Sequence, residues 1–178
     1  MLVARVLCHG IQLAVHCYIA SCHCAPEQRG NSVSDIEKSL EQILELYKAA
    51  VLAKDAQAFI RLYDPAVRVF DTWGIWSYEG AEVWQRAVEG WFTSLGTERC
   101  KVGFADVKMS IGKEFSILSA IVTYAAIAPS GETLRSMQNR ISWGLKTSGH
   151  MPRILHEHTS APVGFEDMKA ILQRPGKG

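Results

Sequence analysis

Between Lys101 and Ser160 the chain runs as four long β-rich segments, and no other feature narrows the fold so far. Lys101–Ile111, Phe115–Ala128, Glu132–Lys146 and Arg153–Ser160 are parted by Gly112-Lys113, Pro129-Ser130-Gly131 and Ser148-Gly149, the residue types that tight reversals require. Hairpin-linked strands of this length predict an antiparallel sheet. Ahead of them the periodicity is helical. Ser34-Asp35-Ile36-Glu37 reads as a capping box, and Ile36, Leu40, Ile43, Leu44, Tyr47, Ala50 and Val51 recur behind it on one helix face. Asp55 caps a second, short helix that runs through Tyr63 and stops at Asp64-Pro65. Val67–Asp71 is a short strand that enters the aromatic loop Thr72–Tyr78, and after Gly80 a third helix carries Val83, Trp84, Ala87, Val88, Trp91, Phe92 and Leu95. Helices followed by a run of strands predict an α+β fold: a cone-shaped, curved antiparallel sheet wrapped on three N-terminal helices, with an internal pocket at its open end.

The chain has 178 residues, 48% of them apolar and 21% charged, enough for one sizeable domain. A net charge of +1 leaves no broad basic face for a nucleic-acid backbone. No uncharged apolar run is long enough to predict a membrane span. The organisation expected is a leader or signal segment over 1–32, a domain over 33–165 and a tail over 166–178. Cys8, Cys17, Cys22 and Cys24 crowd the leader with His9, His16 and His23. Three readings of it stand: a lipoprotein signal ending at Ile19-Ala20-Ser21-Cys22, a metal site of irregular spacing, or a leader outside the folded domain. The expected location is therefore cytoplasmic, with an exported lipoprotein attached through Cys22 as the alternative. Cys100 stands alone and reads as a buried thiol. No dinucleotide glycine loop, P-loop or nucleophile elbow is present, so no cofactor is expected.

Tyr47, Tyr63 and Asp71 are sixteen and eight residues apart, and Gly80 closes the loop that follows. This order and spacing resemble ketosteroid isomerase, within the nuclear transport factor 2-like superfamily. The far end, with Arg140-Ile141-Ser142 and Arg153 to Pro162 containing His156-Glu157-His158, resembles the SnoaL-like proteins of that superfamily. The resemblance covers roughly residues 35–165. It implies the cone-shaped fold and a cofactor-free isomerase, cyclase or dehydratase acting on a small apolar carbonyl or carboxylate-bearing ligand. In that role Asp71 abstracts a proton beside the carbonyl and Tyr47, oriented by Tyr63, donates to the enolate oxygen. The family's second acid falls near Ile141 or Ser142. If Ser142 holds that place, strand alternation turns Gln138 and Arg140 inward and makes the donor set cationic.

The remaining candidates follow from strand parity and composition. On the last strand Ile154, His156, His158 and Ser160 share one face, while Leu155, Glu157 and Thr159 share the other. His156 joins Asp71 and Tyr47 as a catalytic candidate; Tyr63, Trp73, Trp76, Arg140, Ser142 and His158 are substrate-binding candidates, and no metal is assigned. Each also has a purely structural reading. The tyrosines suit a core, Asp71 a turn cap, the histidines a sheet edge or dimer face, the tryptophans a cavity wall, and Arg140 an ion pair. The second function class is a non-catalytic domain that binds a ligand or associates through its sheet. The segment Phe115–Ala128 is apolar on both faces, which predicts a homodimer.

Overall fold

A computed structural model describes residues 32–149 and 151–175; the cysteine- and histidine-rich leader lies outside them, and with it the lipid-attachment and leader-metal readings. The elements are α1 (Val33–Ala53), α2 (Ala56–Ile60), β1 (Tyr63–Phe70), β2 (Tyr78–Glu79), α3 (Ala81–Ser94), β3 (Arg99–Ser110), β4 (Phe115–Ile127), β5 (Thr133–Lys146) and β6 (Arg153–Ser160). Three helices and a curved, unclosed six-stranded sheet form the expected α+β architecture, with strand order β2-β1-β6-β5-β4-β3. No described helix is long and apolar enough to cross a membrane.

Local chemistry sets the boundaries. The capping box sits two residues earlier than expected: Ser32 is the N-cap, its hydroxyl accepting from the Asp35 N–H while the Asp35 carboxylate accepts from the Ser32 N–H, both at 3.2 Å. Ser34 already has a place inside the first turn, so it cannot supply the extended backbone a cap needs. Asp55 caps α2, accepting from the Ala58 N–H at 2.8 Å. That helix ends at Ile60 rather than Tyr63, and Tyr63 opens β1. Gly80 precedes α3 with φ of 85°, a backbone conformation that a side chain would oppose.

The antiparallel run holds from β3 to β6, but β1 joins β6 in parallel, through Arg68 opposite His156, Val69 opposite Glu157 and Phe70 opposite His158. Two bulges shape the sheet. In β3 the register slips between Ala105 and Lys108, where Asp106 takes φ of 55°. In β6 it slips against β5: Leu145 faces Ile154 but Gly144 faces His156, leaving Leu155 as an extra residue. Ile36, Leu40, Ile43 and Tyr47 of α1, Phe59 of α2, Trp84, Val88 and Phe92 of α3, and Leu118, Val122, Ile141 and Trp143 of the sheet form one continuous core. Beyond β6 the chain returns to β5, where the Gln138 N–H donates to the Leu172 carbonyl at 2.8 Å and Gln173 Nε2 to that of Ser136 at 2.7 Å.

Candidate functional site

A hollow of about 600 Å³ lies between α3 and the inner face of the sheet. Trp84, Ala87, Val88 and Trp91 of α3 form one wall; Tyr124, Ala126, Met137 and Asn139 of β4 and β5 form the other. Tyr47, Asp71, Trp73, Tyr78 and Glu157 complete the lining, so Asp71 and Tyr47 share one cavity.

Asp71 follows the last residue of β1, and the alternation that turns Val67 and Val69 into the core points it to the same side. Thr159 Oγ1 donates to Asp71 Oδ1 at 2.7 Å while accepting from the Thr72 N–H at 2.8 Å and the Thr72 hydroxyl at 3.0 Å. Burial raises the Asp71 pKa, and the Thr159 hydroxyl with the Thr72 and Trp73 N–H groups opposes that rise. The balance is a carboxylate somewhat more basic than usual and held in one orientation.

Tyr47 reaches the hydroxyl of Tyr124 at 2.8 Å, not that of Tyr63. Burial keeps both phenols protonated, well above the usual tyrosine range. Their mutual bond uses one of two O–H groups, so the pair keeps one donor for the cavity. Tyr63 lies deeper and donates to Glu157 Oε2 at 2.6 Å; Trp143 Nε1 donates to the same oxygen at 2.8 Å. Glu157 is 1% exposed, and burial pushes its pKa up to about 7 against the pull of these two donors.

The other sequence candidates separate from this cluster. The extra residue Leu155 breaks the alternation of β6, so that Ile154 turns inward together with Glu157 and Thr159, while His156 and His158 turn outward. His156 Nδ1 lies 2.9 Å from the Arg68 carbonyl oxygen, and Phe70 stands edge-on to both imidazoles. On β5 the inward set is Asn139, Ile141, Trp143 and Leu145, which leaves Arg140 and Ser142 on the outer face. The cationic donor set expected from Gln138 and Arg140 is therefore not in the cavity. Trp73 borders the hollow, whereas Trp76 is 97% exposed at the loop tip and borders nothing there. The cavity's arginine is Arg135, at the lip, where both terminal nitrogens donate to Glu98 at 3.1 and 2.7 Å. Among the described residues no group of three or more His, Cys, Asp or Glu side chains could hold a metal.

Sequence reasoning gave Glu157, Tyr124 and Asn139 no catalytic or substrate-binding role. A signal for Glu157 existed: it is the one acid of β6, and it lies two residues before Thr159 and shares its parity. Asn139 Oδ1 is buried without a partner among the described residues.

No protein-family model matches the chain, and no curated protein does. Solved structures do. An NTF2-like protein of unknown function from Pseudomonas putida superposes with a TM-score of 0.69, at 20% identity over 82% of this chain and 100% of that one. An NTF2-like protein with a cystatin-like fold from Novosphingobium aromaticivorans gives 0.65, at 12% identity over 76% of this chain and 88% of that one. An NTF2-like superfamily protein from Salmonella enterica gives 0.61, at 16% identity over 79% of this chain and 100% of that one. The fold is the nuclear transport factor 2-like, cystatin-like fold.

Proposed function

We propose that this chain binds a small, uncharged carbonyl compound in the cavity and moves a proton on it without a cofactor. Asp71 takes the proton from carbon beside the carbonyl, and the free O–H of the Tyr47–Tyr124 pair donates to the oxygen on which negative charge develops. The observation that carries this reading is that a fixed carboxylate and an unspent phenol face the same mostly apolar hollow. Charge favours a neutral ligand over a carboxylate, because the Asp71 carboxylate lines the cavity and the arginine there is bound to Glu98.

The test is Asp71→Asn, which keeps the acceptor for Thr159 and removes the base. Turnover of a carbonyl substrate found by screening should fall on the order of a hundredfold or more with binding retained. Unchanged turnover refutes proton abstraction by Asp71.

The same chain is proposed to form a homodimer through the outer face of its sheet. Phe115 and Ile117 of β4 are 57% and 61% exposed there, and Ile121 continues the same face, an apolar strip of the kind that a second subunit covers.

A further inference from the structure

Glu157 is a buried titratable group that proton abstraction by Asp71 does not use. We propose that Glu157 is the general acid of this site, that its free carboxyl oxygen delivers a proton to a hydroxyl group β to the ligand's carbonyl, and that the substrates are β-hydroxy ketones undergoing dehydration. The inference rests on the reading of Asp71 and the tyrosine pair given above and assigns its substrate class.

The geometry divides the two oxygens of Glu157. Oε2 takes both available donors, Tyr63 and Trp143, at 2.6 and 2.8 Å. Among the described residues both side-chain hydrogen bonds of Glu157 go to Oε2, and the residue borders the cavity. That leaves Oε1 as the oxygen to carry a transferable proton. The two carboxyls stand on adjacent strands of one wall, since Val69 pairs with Glu157 and Asp71 lies two residues beyond Val69. With strands about 4.8 Å apart and a rise of about 3.3 Å per residue, such diagonal neighbours lie about 8 Å apart at their backbones, near enough for both side chains to reach one small ligand.

Their environments also assign them opposite roles. Asp71 is supplied with donors that favour its charged form, the Thr159 hydroxyl and the N–H groups of Thr72 and Trp73. Glu157 is wholly buried, and the Asp71 charge adds to the effect of burial in keeping its proton on. Two acids whose surroundings separate their ionisation form an acid and base pair. A simple shift of a double bond needs only one carboxyl, which takes the proton and returns it to another carbon. A second acid, clamped by two donors and unable to swing, suits a step in which the proton goes to a different atom. Hydroxide is a poor leaving group, and although an enolate can expel it unaided, a positioned acid that protonates the departing oxygen speeds the loss by about a hundredfold or more.

The step balances. Asp71 accepts the α-hydrogen as a proton, and the C–H electrons pass into the enolate held by the Tyr47–Tyr124 donor. The enolate re-forms the carbonyl, the α,β double bond closes, and the β C–O bond breaks with its electron pair on oxygen. That oxygen takes the Glu157 proton and departs as water. Solvent exchange then returns a proton to Glu157 and removes one from Asp71, leaving an α,β-unsaturated ketone and water with no change in oxidation level.

Glu157→Gln tests this, because the amide oxygen still accepts from Tyr63 and Trp143 while no transferable proton remains. The probes are β-hydroxybenzylacetone, whose dehydration to benzylideneacetone is followed by ultraviolet absorbance, and benzylacetone, whose α-hydrogen exchange in heavy water is followed by proton NMR. The wild-type protein should catalyse both reactions. Glu157→Gln should lower dehydration relative to exchange by about a hundredfold or more. Equal dehydration by the variant, or exchange without dehydration in the wild type, overturns the role of Glu157. Absence of exchange in the wild type overturns the Asp71 reading beneath it, so the two failures are told apart.

Discussion

Replacing Glu157 by glutamine should flatten the dependence of stability on pH, by an amount that the burial of this one carboxyl sets. Its ordinary pKa is 4.5 and its folded value about 7. A folded-state pKa that is raised means the folded chain holds the proton more tightly than the unfolded chain. The stability that this group contributes is then fullest below pH 4.5, where both states are protonated, and is lost as pH rises through about 7. The rise from 4.5 to about 7, at about 1.4 kcal/mol per pH unit, corresponds to a loss of roughly 3 kcal/mol. Asp71 is also raised and acts in the same direction; its own part is common to wild type and variant, so only its coupling to Glu157 remains in their difference. The assay is urea unfolding followed by tryptophan fluorescence for both proteins, from about pH 4 to about pH 8, values that bracket the two ionisations. The wild-type stability minus that of Glu157→Gln should fall by roughly 3 kcal/mol across this range. A difference that stays constant with pH refutes the claim that a proton on Glu157 is tied to folding, even if the variant is less stable throughout.

Tyr124→Phe keeps the ring against Trp91, 5.9 Å away, and removes the partner of the Tyr47 hydroxyl; it should cost about 1 kcal/mol in urea unfolding and lower turnover roughly tenfold to a hundredfold. Turnover equal to wild type would show that the phenol pair does not stabilise the reacting oxygen. Ile117→Lys, at a position 61% exposed on the outer face, should convert a dimer to a monomer in sedimentation velocity without changing the circular dichroism spectrum. A dimer of unchanged strength would place the subunit contact elsewhere.

The fold was legible because its signals are local. Asp55 as a cap, Gly80 before α3, and the turn residues between β3, β4, β5 and β6 act within a few residues of themselves, and the elements fall where they point. The parallel union of β1 with β6 was not legible, since it joins residues nearly ninety positions apart (Arg68 with His156) and no local chemistry specifies it. Asp55 aside, boundaries moved where two local signals competed, as at Ser32 and Ser34. The site was legible in part. Spacing brought Asp71 and Tyr47 into the reading together, and both border one cavity. The partner of Tyr47 was not, because the hydroxyl of Tyr124 reaches it from β4, seventy-seven residues away. Trp76 was drawn in by its aromatic neighbours, but a loop tip gives an indole nothing to pack on.

One inserted residue decides which chemistry the last strand offers. Strict alternation places Ile154 with His156 and His158, and since Ile154 is plainly a core residue, the histidines appear to face inward. Leu155 absorbs one position at the bulge, so Ile154 keeps its core place while every residue after it changes sides. The consequence is the exchange of two imidazoles for a carboxyl and a hydroxyl: Glu157 opposite Trp143, and Thr159 opposite Ile141. Of the two positions near which the isomerase resemblance puts a second acid, Ile141 is 1% exposed in the core and Ser142 lies on the outer face. A second carboxyl is nevertheless on the wall, one strand nearer to Asp71, because β6 lies between β1 and β5. An acid on β5 would lie a strand farther from the base, where it could act on a more distant ligand atom. An acid on β6, beside the base and fixed by Tyr63 and Trp143, is placed instead beside Asp71, and under the proposed mechanism it protonates the hydroxyl on the carbon next to the one deprotonated. In that proposal the displacement by one strand is what turns double-bond migration into loss of water.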